Sequence, residues 1–475
     1  MCDLIGREDE KRQLKIIENS GKPEFIVVYG RRRVGKTFLI NQYFKNRFTF
    51  KLTGLAKKDR LEQLANFAET LNDQSGDVYP VPKNWMEAFR YLRHFLEQKK
   101  GRQRKVVFID EMPFLDTPCS NFVTALEHFW NDWGCTRNDL LFIVCGSATS
   151  WITKKLIKNH GGLHNRLTRK IYLKAFTLNE VQQYLKSNGI NFGQREILEC
   201  YMIMGGIPYY LSQLEKGKSL AQNVDEMFFK RKSKLYDEFD NLYASLFDNS
   251  DDYVKVVEAI GLKNRGLSRD EIITETGLAN GGRLTRILDD LDNCDIIRRY
   301  YAFGKTERQS IYQLTDFYTF FYFKFVKKHK SSDMAFWSTQ LNTPNHNAWS
   351  GYAFEQLCLY HYAQIEKKLG IQSIMTEASA WSCKANDEHE GAQIDLVIRR
   401  ADRIINICEM KFWNAQFTIT RKTRDELLKK IAIFTADTKT RYAIHLVMIT
   451  TYGIAANEYS DIVQNQVTME DLLLP

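Results

Sequence analysis

The chain has 475 residues, of which 44% are hydrophobic and 26% charged, and 67 Lys and Arg against 58 Asp and Glu leave a net charge of +9. That length corresponds to roughly two to four domains, and the composition excludes a fibrous or largely disordered chain. No apolar run nears the roughly 20 residues that span a bilayer, Met1–Arg12 has no leader-like apolar stretch, and nine scattered cysteines without a C-x-x-C pair argue against a disulfide framework or zinc module, so a cytoplasmic chain with no membrane partner is expected.

Residues 1–175 alternate strand and helix patterns. Phe25–Tyr29, Val106–Ile109 and Leu141–Cys145 are short continuous apolar runs, the mark of strands covered on both faces of a parallel sheet. After the first run comes Gly30-Arg31-Arg32-Arg33-Val34-Gly35-Lys36-Thr37, which fits G-x-x-x-x-G-K-[ST]. A loop of this spacing turns its amides and the next helix N-terminus toward phosphates. Lys36 then reaches the β- and γ-phosphates and Thr37 ligates Mg²⁺. The second run ends in Asp110-Glu111. Asp110 is placed to hold the Mg²⁺ shell, and Glu111 to polarise the attacking water.

The third run leads into Gly146-Ser147-Ala148-Thr149, where Ser147 could sense a γ-phosphate; helix capping by Ser147 or Ser150 is the plainer alternative. Arg166 could be an arginine finger for a neighbouring subunit, which would imply a homo-oligomer. Arg169 is its rival, and an ordinary surface arginine remains open.

Taken together, Ile5-Gly6-Arg7-Glu8, the phosphate loop, VVFIDEMPFLD and CGSATSW resemble a prokaryotic AAA+ ATPase, and more narrowly the archaeal-type ATPases related to the STAND NTPases. Asn165–Thr168 and Gly205–Tyr210 match the same pattern. The resemblance implies an α/β P-loop NTPase core (AAA+/ASCE) with ATP and Mg²⁺ as cofactors, followed by a helical lid over residues 176–250. No arginine lies near Gly205–Pro208, where many AAA+ lids carry a second sensor.

Residues 251–330 show three helical patterns, Tyr253–Leu262, Ser268–Thr276 and Gly282–Leu291. Two β-rich stretches follow, Ile296–Phe303 and Gln309–Leu314, in the order of a winged helix-turn-helix. Arg283 and Arg286 would read a groove from the recognition helix, and Lys305 and Arg308 would meet phosphates from the wing. Asp289, Asp290, Asp292 and Asp295 would repel DNA if they faced it, and such modules also serve as protein contacts. Ser331–Asn347 reads as a polar connection.

In residues 331–475, Asp395 lies on the strand pattern Gln393–Ile398, and Glu409-Met410-Lys411 closes the next one. Alternation puts Glu409 and Lys411 on one face. With Asp395 they could hold Mg²⁺ against a phosphodiester, and Glu355 on an upstream helix could add a third acid. A salt-bridged strand face is the plainer reading. The arrangement resembles the PD-(D/E)xK nuclease superfamily, which implies a restriction-endonuclease-like α/β domain. The expected function is an ATP-hydrolysing ATPase coupled to DNA binding or Mg²⁺-dependent DNA cleavage. The alternative is a nucleotide-gated regulatory switch whose silent nuclease-like domain binds DNA or protein partners.

Overall fold

The computed structural model describes residues 4–475 except 46, 102, 148, 159–160, 164, 248, 264, 306–308, 330–334 and 386–389. The chain divides into two compact units, Met1–Ala175 and Phe176–Pro475.

The first unit is built on a parallel sheet of β1 (Glu24–Tyr29), β2 (Phe50–Thr53), β3 (Lys105–Asp110), β4 (Leu140–Gly146) and β5 (Arg169–Tyr172), ordered β2-β3-β4-β1-β5. Phe25–Val28 and Leu140–Val144 are almost wholly buried, which explains why their sequences show no polar alternation. An aromatic core fills one face: Phe25 meets Phe142 at 5.3 Å between ring centroids and Trp130 at 5.0 Å, while Trp85 meets Phe122 at 4.9 Å. The flanking helices start on side-chain caps, such as Asp59 for Arg60–Ser75 and Asn84 for Trp85–Gln98. This strand order decides the site. Tyr29 pairs with Gly146 and Ile109 with Val144, so the segments leaving β1, β3 and β4 emerge side by side with β4 in the middle. Ligands of open α/β sheets bind at such carboxyl ends.

The second unit begins with helices Leu178–Ser187 and Gln194–Met204. Gly205-Gly206 ends the latter with positive φ at both residues, and a Cβ on Gly206 would fall 2.3 Å from the Phe176 carbonyl oxygen. His361 joins this helical part to the C-terminal part. Its Nδ1 donates to the Leu357 carbonyl at 2.9 Å, and its Nε2 accepts the Leu178 amide at 2.9 Å. Burial pushes its pKa down to about 4. Protonating Nε2 would break the Leu178 bond, so this contribution to stability is complete above the ordinary histidine value and is lost as pH falls toward 4. Thermal melts between pH 7 and pH 4 should show the wild type losing on the order of 3 kcal/mol more than His361→Gln. Parallel curves would remove His361 as the cause.

Helices Ser250–Gly261, Arg269–Thr276 and Gly282–Asn293 pack with an antiparallel sheet of β6 (Leu267–Ser268), β7 (Ile297–Tyr300) and β8 (Ile311–Leu314), ordered β6-β8-β7. The short β6 carries no signal of its own in the sequence. Of the polar turn expected over Gly304–Arg308 between the two β-rich stretches, residues 306–308, with Arg308 as a phosphate contact, lie outside the described residues. Asp290 is turned inward, where it accepts the Tyr253 hydroxyl at 2.9 Å, and Asp292 accepts the Arg299 amide at 3.3 Å. Asp289 and Asp295 are exposed.

The stretch expected as a connection over 331–347 is partly helical. Phe336–Gln340 forms one helix, and Pro344 starts the next with Thr343 as its cap. For the first of these the reason lies far away in sequence. The buried Asp225 carboxylate accepts the Trp337 amide at 2.6 Å and the Ser338 amide at 3.1 Å, satisfying donors that a helix start leaves unpaired.

The C-terminal sheet comprises β9 (Thr376–Cys383), β10 (Ala392–Arg400), β11 (Ile404–Lys411), β12 (Ala443–Thr450) and β13 (Asn465–Val467), ordered β13-β12-β11-β10-β9. β9, β10 and β11 are antiparallel neighbours, whereas β11, β12 and β13 run parallel. The parallel step from β11 to β12 needs a crossover, which helix Arg421–Thr438 supplies. Helix Pro344–Tyr360 packs on β11, with Phe354 against Phe412.

Candidate functional sites

The loop after β1 winds through positive φ at Gly30, Arg33 and Gly35. At Gly30 φ is +140°, and a Cβ there would lie 2.4 Å from the Leu173 carbonyl oxygen. Gly30→Ala is therefore expected to displace the loop and weaken nucleotide binding by about tenfold or more, at a cost of about 1–3 kcal/mol in stability. Melting temperature and ATP titration check this, and unchanged values in both would contradict it.

Gly35 is the N-cap of helix Lys36–Phe44, where unpaired amides favour an anion. Lys36 is buried, and its Nζ donates to the carbonyls of Gly30 at 3.0 Å and Arg31 at 2.8 Å. Arg31 and Val34 are buried in the loop, and Arg32 and Arg33 are half-buried. The Thr37 hydroxyl donates to Asp110 Oδ2 at 2.8 Å, bringing the two expected Mg²⁺ ligands together. A hydroxyl and a carboxylate form the all-oxygen donor set that suits Mg²⁺. Behind them Cys145 is fully buried, and that burial, with the nearby Asp110 carboxylate, pushes its thiol pKa well up.

Glu111 takes a left-handed backbone conformation, φ 46° and ψ 43°. Its carboxylate accepts the Ser147 hydroxyl at 3.0 and 3.1 Å and the Ser147 amide at 3.3 Å. Ser147 is thus joined to the acid on the neighbouring strand. Arg166 is exposed on the segment entering β5, and Arg169 is exposed at the first position of β5.

A second group of charges lies on the C-terminal sheet. Glu409 and Lys411 share a face of β11, and Lys411 Nζ approaches Glu409 Oε1 at 2.9 Å. Lys430, from the crossover helix, reaches Glu409 Oε2 at 2.7 Å. Burial by itself would raise the Glu409 pKa, but the two ammonium groups hold it below the usual carboxylate value. Asp395 sits where the β9–β10 register shifts between Ile394 and Val397, a bulge of the kind that re-aims a side chain. Gln393 donates to Asp395 Oδ1 at 2.7 Å. Burial raises the Asp395 pKa, with Glu409 adding to it, and burial together with Asp395 and Glu409 pushes Glu355 up to about 8.

Among the described residues, no three Asp, Glu, His or Cys side chains are grouped closely enough to hold an ion. Glu355, Asp395 and Glu409 therefore do not form such a group here, and both Glu409 oxygens pair with lysines. The donors suit Mg²⁺ in kind, and their mutual repulsion is what a dication relieves, but loading them would displace an ion pair from Glu409.

Residues 4–214 match the family described as an ATPase domain predominantly from Archaea. That segment is an archaeal-type ATPase domain. The uncharacterized protein MJECL04 of Methanocaldococcus jannaschii is 23% identical over 443 residues, covering 92% of this chain and 94% of its own length. An uncharacterized ATP-binding protein of the same organism, MJ0423, is 42% identical over 44 residues, 9% of this chain and 75% of its own length. Among solved structures, the Walker-type ATPase PABY2304 of Pyrococcus abyssi superposes with a TM-score of 0.50 at 19% identity, covering 68% of this chain and 96% of that one. That likeness shows a shared fold. Among the described residues, no helix is long and apolar enough to cross a membrane.

Two functional neighbours escape motif reading. In the ATPase domain Arg7 is buried, and its Nη2 donates to the Val34 carbonyl at 3.1 Å and its Nη1 to that of Lys174 at 2.7 Å, bracing the loop from behind. Its place in Ile5-Gly6-Arg7-Glu8 was the available signal, though not the role. Lys430 has no sequence signal, since only the crossover brings it to β11.

Proposed function

We propose that the ATPase domain binds and hydrolyses ATP at Lys36, Thr37, Asp110, Glu111 and Ser147. The observation that carries this reading is the pairing of Thr37 with Asp110 at 2.8 Å beside Glu111 bound to Ser147. On binding, Lys36 exchanges its two loop carbonyls for phosphate oxygens, while Gly30–Gly35 offers amides to the triphosphate. Thr37 and Asp110 would hold Mg²⁺, which supplies charge neutralisation across the phosphates when bound. Glu111 orients water and takes its proton, and Ser147 fixes the carboxylate rotamer and senses the γ-phosphate. Arg166 of a neighbouring copy would complete the site in a homo-oligomer. Light scattering with ADP and with a slowly hydrolysed ATP analogue tests that step, and equal mass in both states would remove it.

The proposal extends to DNA. The order helix–strand–helix–helix–strand–strand over residues 250–314 supports a winged helix. Arg286 is exposed on its third helix, while Arg283 pairs with Asp252. The helix–β9–β10–β11–helix–β12 order with Asp395, Glu409 and Lys411 supports a nuclease-like domain that cleaves phosphodiesters with Mg²⁺. Incubation with plasmid and linear DNA, with and without ATP, tests this, and the absence of cutting in every condition would end it. A second reading, an ATP-gated switch with a silent nuclease-like domain, draws on the two lysines that occupy Glu409.

A further inference from the structure

A cavity of about 420 Å³ lies between the three-stranded sheet and the C-terminal sheet, within the second unit. Its walls come from β7 and β8, from helix Pro344–Tyr360 and from β10. The two sheets are tied together beside it. Ala302 bridges to Ala380 of β9, the Phe303 amide donates to the Ala380 carbonyl at 2.7 Å, and Phe303 packs on Phe434 at 5.3 Å. The space is therefore built into the fold.

Arg298, Asp395 and Glu355 all line this cavity. Arg298 stands across from Gln313 in the β7–β8 ladder, its Nε, at 2.9 Å, and its Nη2 both donate to Gln313 Oε1, and Gln313 Nε2 donates to the Tyr352 hydroxyl at 3.1 Å. Its guanidinium also lies 5.3 Å from the Tyr300 ring centroid. Among the described residues its hydrogen-bond and ring partners are neutral and no carboxylate is in ion-pair contact with it, while the Asp395 carboxylate favours its charge from further away. Burial correspondingly lowers its pKa. A half-buried guanidinium without a contacting carboxylate favours a bound anion, and the N–H groups that Gln313 leaves open suit phosphate oxygens. The volume exceeds that of a phosphate and falls within the roughly 300–1,000 Å³ of small-ligand sites. It leaves room for an attached sugar and base beside the Tyr300 and Tyr352 rings.

We infer that this cavity seats one nucleotide unit of a nucleic-acid strand, with Arg298 holding its phosphate in the space that Asp395 and Glu355 also line. The inference rests on the reading that the C-terminal domain acts on phosphodiesters, and it names the residue that delivers the substrate. The two carboxylates oppose a bare anion, so inorganic phosphate should bind poorly and a divalent cation should help.

Fluorescence anisotropy of the full chain with a labelled single-stranded DNA oligonucleotide, with Ca²⁺ in place of Mg²⁺, measures the seat without requiring cleavage. Arg298→Met is expected to weaken binding about tenfold or more and to reduce the salt slope by about 1. Arg298→Lys should recover part of the loss. Ala348→Trp, at the exposed edge of the cavity, should block it without touching Arg298. Melting temperature and ATP binding serve as folding controls. Thymidine monophosphate competing with the oligonucleotide in wild type, but not in Arg298→Met, would show that a single nucleotide fills the seat; competition by the oligonucleotide alone would place it on a continuous strand. Wild-type affinity in both Arg298→Met and Ala348→Trp overturns the inference even if the protein cuts DNA. Loss of binding in both, with no cutting by wild type under Mg²⁺, keeps the seat and removes the cleavage reading.

Discussion

A Lys36→Ala chain is expected to lose ATP turnover by at least about a hundredfold, because a preorganised charge aimed at a transferring phosphoryl group typically contributes that much. The ammonium is buried and held against the loop by two carbonyls. Glu111→Gln should behave differently. It keeps a hydrogen-bonding partner for Ser147 and leaves the phosphate loop untouched, but it cannot take a proton from water. Turnover should fall by about 10²–10⁴-fold with ATP affinity close to wild type. Steady-state phosphate release and equilibrium ATP binding, measured on the same preparations, separate the two variants. Equal loss of binding in both would mean that Glu111 shapes the pocket, and undiminished turnover in Glu111→Gln would remove its assigned role.

The second large effect concerns the C-terminal acids. If the nuclease reading holds, Asp395→Ala should reduce Mg²⁺-dependent plasmid cleavage by about a thousandfold, since it removes a ligand of the ion that polarises the phosphodiester. Lys430→Met then divides the two readings of this domain. Lys430 is one of two cations on Glu409, so its removal frees an oxygen of the carboxylate. An active site that loads metal by displacing Lys430 should bind the ion more tightly in Lys430→Met while still cutting DNA. A silent domain should lose stability, because a mostly buried carboxylate is left with less compensation, and should gain no cleavage. Metal titration, melting temperature and plasmid nicking distinguish these outcomes.

The ATP site was legible because its chemistry is local. Gly30–Thr37 is one loop, and the apolar runs of β1, β3 and β4 state where the sheet must lie. The order of those strands was not legible, so the bond between Glu111 and Ser147 appears only when β4 falls next to β3. The acids of the C-terminal domain were partly legible through the two-residue period that puts Glu409 and Lys411 on one face. Their environment was not. The bulge at Asp395 shows only in strand register, and Lys430 arrives through a crossover helix. Which way Asp290 faces was not legible, because its partner Tyr253 lies on another helix. Ser331–Asn347 reads as a connection partly because the start of its first helix depends on Asp225, more than a hundred residues upstream.

Isothermal titration of the full chain with ATP in Mg²⁺ tests the central claim most directly, with Lys36→Ala and Thr37→Ala measured alongside. The account predicts saturable uptake of one ATP per chain by wild type, weakened when Mg²⁺ is chelated and lost in Lys36→Ala. A folded wild-type chain that takes up no nucleotide, or a Lys36→Ala chain that binds ATP as wild type does, would contradict it.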